Sequence, residues 1–538
     1  MLFRMQPPTD SPPATLAEAF LSTIDKCGDA PAVLDADLHV VLSWREYGLR
    51  SRRVAGGLAG LGIGRSDSVG LLLTNRPEFH IADAAALQIG ATPFSMYNTA
   101  APEQLLHVLD DAGCRVVITE SSLLHRLNAA LAVDRCQVDH VVVVEHQSWV
   151  QLLSSPERNQ PPSARPEDLA TLVYTSGTIG PPKGVELTHH NILTMVSEMA
   201  PLMGAQPQHR SISYLPMAHI AERASTHYLP MVMGFTVVCC PTPVEVTELL
   251  PRVRPELFFS PPRLWEKLQA LVASNASVEP DPAELRRRLG LDNLVCALTG
   301  AAPCPPGVVE FFGSIGITLR ELYGLSETTG VVSFAAADDA RAGTVGPPLP
   351  SAEIHLAEDN ELLVRGPLIM AGYRNQSQAT SEAIDAEGWL HTGDLAELTA
   401  DGHLRIIGRK KELIINAAGK NMSPNNIEAR LRESSPLIGQ ACVMGDGRPY
   451  NVALLVLDPA VAATYSSEAA LLAEVQGGVD RANARLARVE QIKRYAVLED
   501  EWVPDSDELT PTMKLKRRAV TEKYAEQIDA LYAQTRRG

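Results

Sequence analysis

The stretch SVGLLLTNRPEFHIADAAALQIGATPFSMYN, residues 68–98, decides the fold class of this chain. The apolar run SVGLLL gives way to a helical pattern that opens with a proline, and the apolar run ATPFSMYN follows it. The same alternation continues through APEQLLHVLDDAG to RVVIT, which ends at residue 119. Short apolar strands that alternate with helices indicate a parallel sheet with helices on both faces. We therefore predict an α/β fold with doubly wound sheets.

The regions around this stretch have different patterns. Residues 15–60 predict two helices joined by a short turn, and the strand–helix alternation resumes over residues 213–323. After Val345, short strand and turn patterns predict a small β-rich part. We predict a large N-terminal domain, residues 1–407, and a small α+β C-terminal domain, residues 408–538, joined by a hinge near residues 408–411.

Composition narrows the class of protein. The 538-residue chain has 45% hydrophobic residues and a net charge of −17, which is typical of a globular protein and argues against nucleic-acid binding and general adhesion to anionic membranes. Its eight cysteines show no CxxC spacing, so we interpret them as inert thiols in a reducing compartment. No apolar run is long enough for a signal peptide or a membrane-spanning helix. We expect a cytoplasmic protein, at most peripheral to a membrane; a homodimer remains open.

The segment YTSGTIGPPKG, residues 174–184, combines glycines, hydroxyls and one lysine in a pattern that suits a bound phosphate. It is not a P-loop, because Pro182 and Gly184 flank Lys183 where glycine and a magnesium-binding hydroxyl are required. The residues after Lys183 alternate as in a strand, so we predict a strand–loop–strand phosphate clamp. Taken alone, the segment could equally be a surface turn with a solvated lysine.

Six further segments accompany this loop along the chain. They are YLPMAHIAER (214–223), TGAAPCP (299–305), YGLSETTG (323–330), GWLHTGDL (388–395), GRKKELIINAAGKNMSP (408–424) and LTPTMKLKRR (509–518). In this order, and over nearly the whole chain, the seven segments resemble the adenylate-forming (AMP-binding) superfamily, which includes acyl-CoA synthetases, luciferases and peptide-synthetase adenylation domains. The resemblance implies that a carboxylic acid attacks the α-phosphate of ATP, giving acyl-AMP and pyrophosphate, and that a thiol then displaces AMP. It also implies a mobile C-terminal domain.

The resemblance assigns the nucleotide to residues of both predicted domains. The backbone of residues 300–303 would line the adenine, Tyr323 would stack on it, and Asp394 would accept hydrogen bonds from both ribose hydroxyls. The implied ATP- and AMP-binding residues are Thr175, Ser176, Gly177, Thr178, Gly180, Lys183, Gly300, Ala301, Ala302, Pro303, Tyr323, Gly324, Thr328, Asp394, Arg409 and Lys514. Thr175 and Glu327 would hold Mg²⁺, since a hard cation prefers oxygen ligands. Without the resemblance, packing would be the default role of Tyr323 and turn capping that of Asp394.

The implied catalytic residues are Lys514, His219 and Lys183. Lys514 would contact the α-phosphate and the carboxylate while the adenylate forms. The C-terminal domain would then rotate about a hinge at Lys411, removing Lys514 and presenting another face for CoA, with Gly419 and Lys420 beside the pantetheine tunnel. Taken alone, Lys514 would belong to a solvated basic cluster and His219 would be structural.

Four segments favour the long-chain and very-long-chain fatty-acyl-CoA synthetase branch: YLPMAHIAER, SPPRLWEKL (260–268), TGAAPCPPGVVEFF and GKNMSPNNIE. We predict a long-chain fatty acid–CoA ligase with ATP and CoA as co-substrates and Mg²⁺ as cofactor. The acyl pocket is expected between Met217 and Phe235, with Gly234 as a place for the chain to pass. Three alternatives stay open: a fatty-acyl-AMP ligase that loads a carrier protein, a non-catalytic nucleotide- and acyl-binding homologue, and a luciferase-like oxygenase, which no residue supports.

One position departs from the family pattern. Ile179 stands where the family usually has a second threonine or serine, which removes one hydroxyl donor to the pyrophosphate moiety. A hydrogen bond to a charged group contributes about 1.5–3 kcal/mol. We therefore expect slower or weaker use of ATP, not inactivity.

Overall fold

The computed structural model describes residues 12–132, 137–160, 164–175, 181–273, 281–417, 420–503, 506–510 and 514–533. The predictions made for part of the phosphate loop and for one residue of the CoA tunnel fall outside these ranges. Those residues are Ser176, Gly177, Thr178, Ile179, Gly180 and Gly419.

The strands of the described chain are numbered in chain order. They are β1 (Pro31–Leu34), β2 (Val40–Ser43), β3 (Ser68–Leu72), β4 (Thr92–Ser95), β5 (Cys114–Thr119), β6 (His140–Val143), β7 (Leu169–Thr175), β8 (Lys183–Thr188), β9 (Arg210–Ser213), β10 (Thr236–Cys239), β11 (Leu257–Ser260), β12 (Cys296–Thr299), β13 (Leu319–Tyr323), β14 (Ser333–Phe334), β15 (Glu353–Leu356), β16 (Glu361–Arg365), β17 (Gly372–Tyr373), β18 (Leu390–Leu398), β19 (Leu404–Arg409), β20 (Ile414–Ile415), β21 (Asn421–Met422), β22 (Ile438–Met444), β23 (Asn451–Leu457) and β24 (Ile492–Leu498).

The α-helices are numbered in the same way. They are α1 (Leu16–Cys27), α2 (Trp44–Gly60), α3 (Pro77–Gln88), α4 (Pro102–Ala112), α5 (Leu124–Leu131), α6 (Gln147–Leu153), α7 (His189–Met203), α8 (Ile220–Arg223), α9 (Leu229–Met233), α10 (Val246–Val253), α11 (Pro262–Ala273), α12 (Pro282–Leu289), α13 (Pro306–Ser314), α14 (Ser377–Ala383), α15 (Pro424–Ser434), α16 (Pro459–Ala462), α17 (Glu468–Ala484), α18 (Arg517–Lys523) and α19 (Ala525–Ala533). A π-helical turn spans Ala224–Tyr228, and short 3₁₀ turns span Pro243–Glu245, Ser326–Thr328 and Lys410–Glu412.

The largest sheet has the strand order β17-β8-β7-β4-β3-β5-β6. Strands β7, β4, β3, β5 and β6 run parallel, and β8 pairs antiparallel with both β7 and β17. Helix α3 starts with Pro77 and is buried from Phe79 to Gln88. Most of its residues are apolar on every face, and such a helix is stable only inside a core. The parallel α/β sheet predicted from residues 68–119 is confirmed.

Two four-stranded sheets carry the adjoining parts of the chain, in the orders β2-β1-β10-β9 and β11-β12-β13-β14. Strands β11, β12 and β13 are parallel, as the alternation over residues 213–323 predicts. The prediction for residues 15–60 was wrong in one respect, because the antiparallel pair β1–β2 lies between α1 and α2. Their sequences, PAVL and VVLS, show no alternation of apolar and polar residues, so they do not stand out from the helical patterns on either side.

The second half of the chain is richer in antiparallel sheet. Strands β15-β16-β18-β19 form the β-rich part that the pattern after Val345 predicts. Further on, β22-β23-β24 and their helices enclose two hydrophobic clusters, whose buried residues all lie between Ile414 and Ile528. The domain boundary at residues 407 and 408 stays a prediction.

The cysteines are spread through these cores. Those that the structure describes are free thiols; Cys27 is half-buried, and the buried ones are Cys114, Cys239, Cys240, Cys296, Cys304 and Cys442. Burial raises the pKa of Cys240 and of Cys296 to about 11 and that of Cys442 to about 12. Across the described chain, no helix has both the length and the apolar character that crossing a membrane requires.

Candidate active site

The segments singled out in the sequence meet at the ends of neighbouring strands. Thr175 and Lys183 are the last pair of the β7–β8 hairpin, so the glycine-rich loop leaves the sheet from this edge. The prediction of a strand on each side of that loop is confirmed. Strands β12 and β13 pair through Thr299 and Glu321, and the loops that follow them therefore emerge side by side.

Asp394 is the central acidic residue of the site and is 4% exposed. Its Oδ2 accepts a hydrogen bond from the Tyr323 hydroxyl at 2.7 Å, and its Oδ1 pairs with Arg409 Nε at 2.9 Å. The register of β18 and β19 places Asp394 opposite Arg409, so the sheet fixes the pair. Burial raises the pKa of Asp394, although Arg409 opposes the rise. Burial acts against the charge of Arg409, whose pKa Asp394 nevertheless raises. A buried carboxylate of this kind suits the hydroxyls of a sugar.

Lys514 is held by backbone hydrogen bonds to Thr510. Its backbone N–H donates to Thr510 Oγ1 at 2.9 Å, and its carbonyl accepts from Thr510 N–H at 2.8 Å. Next to this pair, Leu509 and Leu515 form an antiparallel bridge. The lysine therefore extends from a backbone that is hydrogen-bonded on both sides.

The Lys514 ammonium lies in the field of several active-site charges. Those groups are Arg409, Asp394, Glu327 and Glu412. Lys514 is an exposed residue, and the protein groups around it, followed by repulsion from Arg409, lower its pKa. The structure thus brings Lys514 together with the Asp394–Arg409 pair, which lies more than a hundred residues earlier in the chain.

Glu327 and Lys183 meet through a tyrosine that the sequence interpretation missed. The Tyr373 hydroxyl donates to Glu327 Oε1 at 2.8 Å, and Lys183 Nζ lies 4.8 Å from the centre of the Tyr373 ring. Strand β17, which carries Tyr373, pairs with β8 beside Lys183. The segment GPLIMAGYRN was assigned only to the β-rich part, and no spacing in it pointed to the site.

The acidic groups of the site fit a magnesium ion better than a metal held by protein ligands alone. Over the described ranges, no three His, Cys, Asp or Glu side chains converge as a metal-binding group. Mg²⁺ usually binds through one or two carboxylates together with substrate phosphates. Glu327 supplies one carboxylate, and Thr175 lies at the end of β7, where the phosphate loop begins.

His219 caps the short helix α8. Its Nδ1 accepts a hydrogen bond from Ala221 N–H at 3.1 Å. A neutral imidazole whose Nδ1 accepts carries its proton on Nε2. Burial, and after it the charge of Lys514, lowers the pKa of His219 to about 3. His219 therefore offers a neutral Nε2–H donor at physiological pH.

The loop after β12 has the open backbone that a flat base can approach. Ala301, Ala302 and Pro303 are exposed, and Ala301 has a φ of 66°. Gly300 is packed against β13, since a Cβ there would lie 2.9 Å from Leu322 Cδ1. The loop is attached to β13 at both ends, through Gly300 against Leu322 and Cys304 N–H bonded to Glu321, and its role as an adenine site stays a prediction.

The loop after β13 closes tightly on itself. Thr328 Oγ1 accepts from Leu325 N–H at 2.8 Å. A Cβ at Gly324 would lie 2.3 Å from the Gly330 carbonyl oxygen, so only glycine fits there. This closure fixes the position of Glu327 relative to Tyr323.

Glu321 is a second residue that the sequence interpretation missed. Its Oε2 accepts from Cys304 N–H at 3.3 Å, and its Oε1 is buried without a hydrogen-bond partner in the described structure. Burial raises the pKa of Glu321 to about 7. The available signal was a charged residue inside the strand LRELY, two positions before Tyr323.

The residues predicted for the hinge and for CoA follow Arg409 along the chain. Lys411 is exposed in its 3₁₀ turn, and it is the neighbouring Lys410 that pairs with Asp359 and Glu361, at 2.5 and 2.9 Å. Lys420 is exposed and donates its backbone N–H to the side chain of Asn416. Their predicted roles belong to the second step of the reaction.

Gly234 is packed against another helix, and the expectation that an acyl chain passes there stays a prediction. Gly234 ends α9 with a φ of 75°, and a Cβ there would lie 2.6 Å from Cys27 Sγ. Helix α1 therefore fills the space beside it. The start of the segment between Met217 and Phe235 lies close to the active site, because Ile220 packs against Gly330 in the loop after β13.

Comparison with known proteins establishes the class that this fold and site define. The profile of the AMP-binding enzyme family matches residues 20–374, and that of the AMP-binding enzyme C-terminal domain matches residues 411–536. The chain belongs to the AMP-binding enzyme family.

Its relatives include named fatty-acid–CoA ligases. The chain is 41% identical over 426 residues to fadD11 of Mycobacterium tuberculosis, covering 69% of this chain and 75% of that protein. It is 32% identical to FadD15 of Mycobacterium bovis, named a long-chain-fatty-acid–CoA ligase, over 89% of this chain and 90% of that protein. A solved structure of a Mycobacterium tuberculosis fatty acyl CoA synthetase shares the fold, with a TM-score of 0.70, 23% identity and coverage of 96% of this chain and 99% of that one.

Proposed function

We propose that this protein is an AMP-forming long-chain fatty acid–CoA ligase. It joins a fatty acid to ATP, giving acyl-AMP and pyrophosphate, and then transfers the acyl group to CoA. The observation that carries the proposal is the position of Lys514 among Arg409, Asp394 and Glu327. The two substrates of the first step are both anions, so a cation in a desolvated site stabilises the state in which they meet.

The nucleotide is held by groups that already have fixed positions. Tyr323 and the backbone of residues 300–303 flank the base, and Asp394 accepts from the ribose hydroxyls while Arg409 keeps it ionised. Glu321, with its unpartnered buried oxygen beside this loop, is a further contact to the base. The glycine-rich loop and Lys183 bind the outer phosphates.

The fatty-acid carboxylate lies between His219 and Lys514. His219 donates from its neutral Nε2–H to a carboxylate oxygen, which orients the other oxygen toward phosphorus. Lys514 contacts the carboxylate and the α-phosphate and offsets the negative charge that develops between them. No proton is transferred in this step, because the attacking carboxylate is already ionised.

Mg²⁺ is the proposed cofactor, and Glu327 and Thr175 would hold it. When bound, it would supply positive charge opposite the phosphates of the nucleotide. Tyr373 bonds to Glu327 and so orients its carboxylate.

The second step uses a different arrangement of the C-terminal domain, residues 408–538. Rotation about Lys411 withdraws Lys514 and brings Gly419 and Lys420 to the path of the CoA thiol. The family resemblance supports this part of the proposal. We further propose that the protein is cytoplasmic and that it contacts a membrane through its apolar substrate.

Long-chain fatty acids are the proposed substrate class, because FadD15, which is named a long-chain-fatty-acid–CoA ligase, aligns with this chain over most of the length of both proteins. The test is a pyrophosphate-release screen over fatty acids of increasing chain length, with and without CoA. We expect release that depends on long-chain acids and acyl-CoA formation when CoA is added. Release without any acyl-CoA, together with acylation of a phosphopantetheine-bearing carrier protein, would favour the carrier-loading ligase. ATP binding without release for any acid would refute the proposal.

A further inference from the structure

Glu222 is a buried acidic residue on the segment that carries His219. It lies on α8, three residues after His219, and is 1% exposed. Its Oε1 accepts hydrogen bonds from four groups. They are Thr226 Oγ1 at 2.7 Å, Ser213 Oγ at 2.8 Å, Tyr214 N–H at 3.1 Å and Asn75 Nδ2 at 3.2 Å.

These donors come from separate elements of the fold. Ser213 ends β9 in one sheet, and Asn75 follows β3 in another. Thr226 lies in the π-helical turn Ala224–Tyr228, a geometry that often occurs at functional sites. A single carboxylate therefore ties α8 to the carboxyl ends of strands from two sheets.

A buried carboxylate with only neutral donors is an energetically unfavourable way to hold elements of the fold together. All four donors are neutral, and the guanidinium of the next residue, Arg223, pairs with Asp83 instead of Glu222. Burying a carboxylate without a cation is unfavourable, and an amide or an apolar side chain would hold the same elements together at a lower cost. Buried ionisable groups of this kind are typical of functional sites.

The orientation of His219 depends on the same helix. Its imidazole accepts from Ala221 N–H, and its backbone N–H donates to Pro216 carbonyl oxygen at 2.9 Å. A shift of α8 would therefore turn the ring and move its Nε2–H.

We propose that Glu222 is a positioning residue for adenylate formation, whose carboxylate anchors α8 and so aims the His219 imidazole at the fatty-acid carboxylate. The inference rests on the proposed function and adds to it a residue that makes no contact with substrate.

The cluster gives this role a pH signature. Burial raises the pKa of Glu222 to about 7, and the protonated carboxyl accepts fewer hydrogen bonds than the carboxylate. The other titratable groups facing it are Tyr214, Cys239 and Cys240, and burial raises the pKa of each, so they stay neutral at this pH. Adenylate formation should therefore slow as the pH falls through about 7.

Stability should respond in the opposite sense. The pKa of Glu222 is higher in the folded than in the unfolded chain, so its ionisation costs stability as the pH rises from about 4.5 to about 7. Replacing the carboxylate with an amide can then slow the reaction at pH 8 without lowering the melting temperature. A merely structural role would lower both together.

The experiment measures fatty-acid-dependent ATP–pyrophosphate exchange by the full-length protein and by Glu222→Gln, from about pH 6 to about pH 9. We expect a loss of about tenfold or more at pH 8, with little change in the KM for ATP, and the acidic limb near pH 7 should be absent. Thr226→Val removes one donor and should give a smaller loss of the same kind. Glu284→Gln, an exposed carboxylate on α12, is the matched control and should behave as wild type.

Two results would overturn the inference. One is exchange by Glu222→Gln within about threefold of wild type with the same acidic limb. The other is a parallel fall in melting temperature, exchange and thioester formation from supplied acyl-AMP. Absence of exchange in the wild-type protein with every fatty acid would instead refute the proposed function, so the two failures are distinguishable.

Discussion

A single ammonium group, that of Lys514, separates the two proposed steps at the scale of the residue. We expect Lys514→Ala to slow adenylate formation by about 10² to 10³, the usual loss when one preorganised donor to a developing charge is removed. Thioester formation from supplied acyl-AMP should stay near the wild-type rate, because the proposed rotation of the C-terminal domain would withdraw this lysine. The two rates are measured as pyrophosphate exchange and as acyl-CoA formation.

Lys516→Ala is the matched control for that prediction. Lys516 belongs to the same basic cluster, but its Nζ donates to the Ser506 carbonyl oxygen at 2.8 Å. It should keep both rates. An equal loss of both steps in Lys514→Ala would contradict the assignment of the lysine to the first step.

His189 allows a test of pH dependence at a single buried residue. It is 1% exposed, its Nδ1 accepts from Leu16 N–H at 3.2 Å, and burial lowers its pKa to about 4. The unfolded chain therefore binds more protons as the pH falls below about 6.5, and stability is lost between there and about pH 4, by at most about 1.4 kcal/mol per pH unit. Urea unfolding of His189→Gln at a series of pH values should show a flatter dependence over that window. His190→Gln, on the exposed neighbour, should follow the wild-type curve.

At the scale of the element, the loop after β13 depends on a glycine. A Cβ at Gly324 would lie 2.3 Å from backbone oxygen of Gly330, and backbone cannot move aside as a flexible side chain can. We expect Gly324→Ala to lower the free energy of unfolding by about 1–3 kcal/mol and to weaken ATP binding, because the loop carries Glu327. Calorimetry and ATP titration measure the two effects. Gly307→Ala, on α13 with no atom within 4 Å of the added Cβ, should be neutral or slightly stabilising.

The sequence predicts elements well where a pattern is long. The alternation over residues 68–119 and the strands around the glycine-rich loop were predicted correctly. The short strands β1 and β2 were missed, because PAVL and VVLS show no alternation of apolar and polar residues. Gly234 ends helix α9, a position that favours glycine for its backbone conformation alone, so the glycine by itself does not identify an acyl channel.

From the sequence, site residues could be predicted only where they lie in a recognisable motif. The bonds between Asp394 and Tyr323 and between Tyr373 and Glu327 depend on tertiary packing, since the members of each pair lie 71 and 46 residues apart. Glu321 lies outside the motif segments, and Glu222 lies within YLPMAHIAER, where only His219 was given a role. The importance of both residues follows from burial, which the sequence does not reveal.

At the scale of the whole molecule, an ion pair joins the two predicted domains. Arg263 on α11 lies 3.3 Å from Asp458, which precedes α16. Both side chains are partly exposed, so the pair contributes at most about 1 kcal/mol. It exists in the arrangement that brings Lys514 to the site, and a rotation of the C-terminal domain would break it.

We therefore expect Arg263→Glu to slow adenylate formation by up to about fivefold, while thioester formation from acyl-AMP is unchanged or faster. The effect should shrink at high salt, as screening predicts. Arg252→Glu, whose partner Asp37 lies in the same predicted domain, is the control. If thioester formation were slower in Arg263→Glu, the domain arrangement that contains the Arg263–Asp458 ion pair would not be the one in which the adenylate forms.

The buried cysteines have a consequence for an enzyme that handles a thiol. Exchange between CoA disulfides and protein thiols needs an accessible thiolate. The thiols of Cys240, Cys296 and Cys442 are buried, and burial keeps them protonated at neutral pH. These three thiols should therefore not form mixed disulfides with the disulfide of CoA.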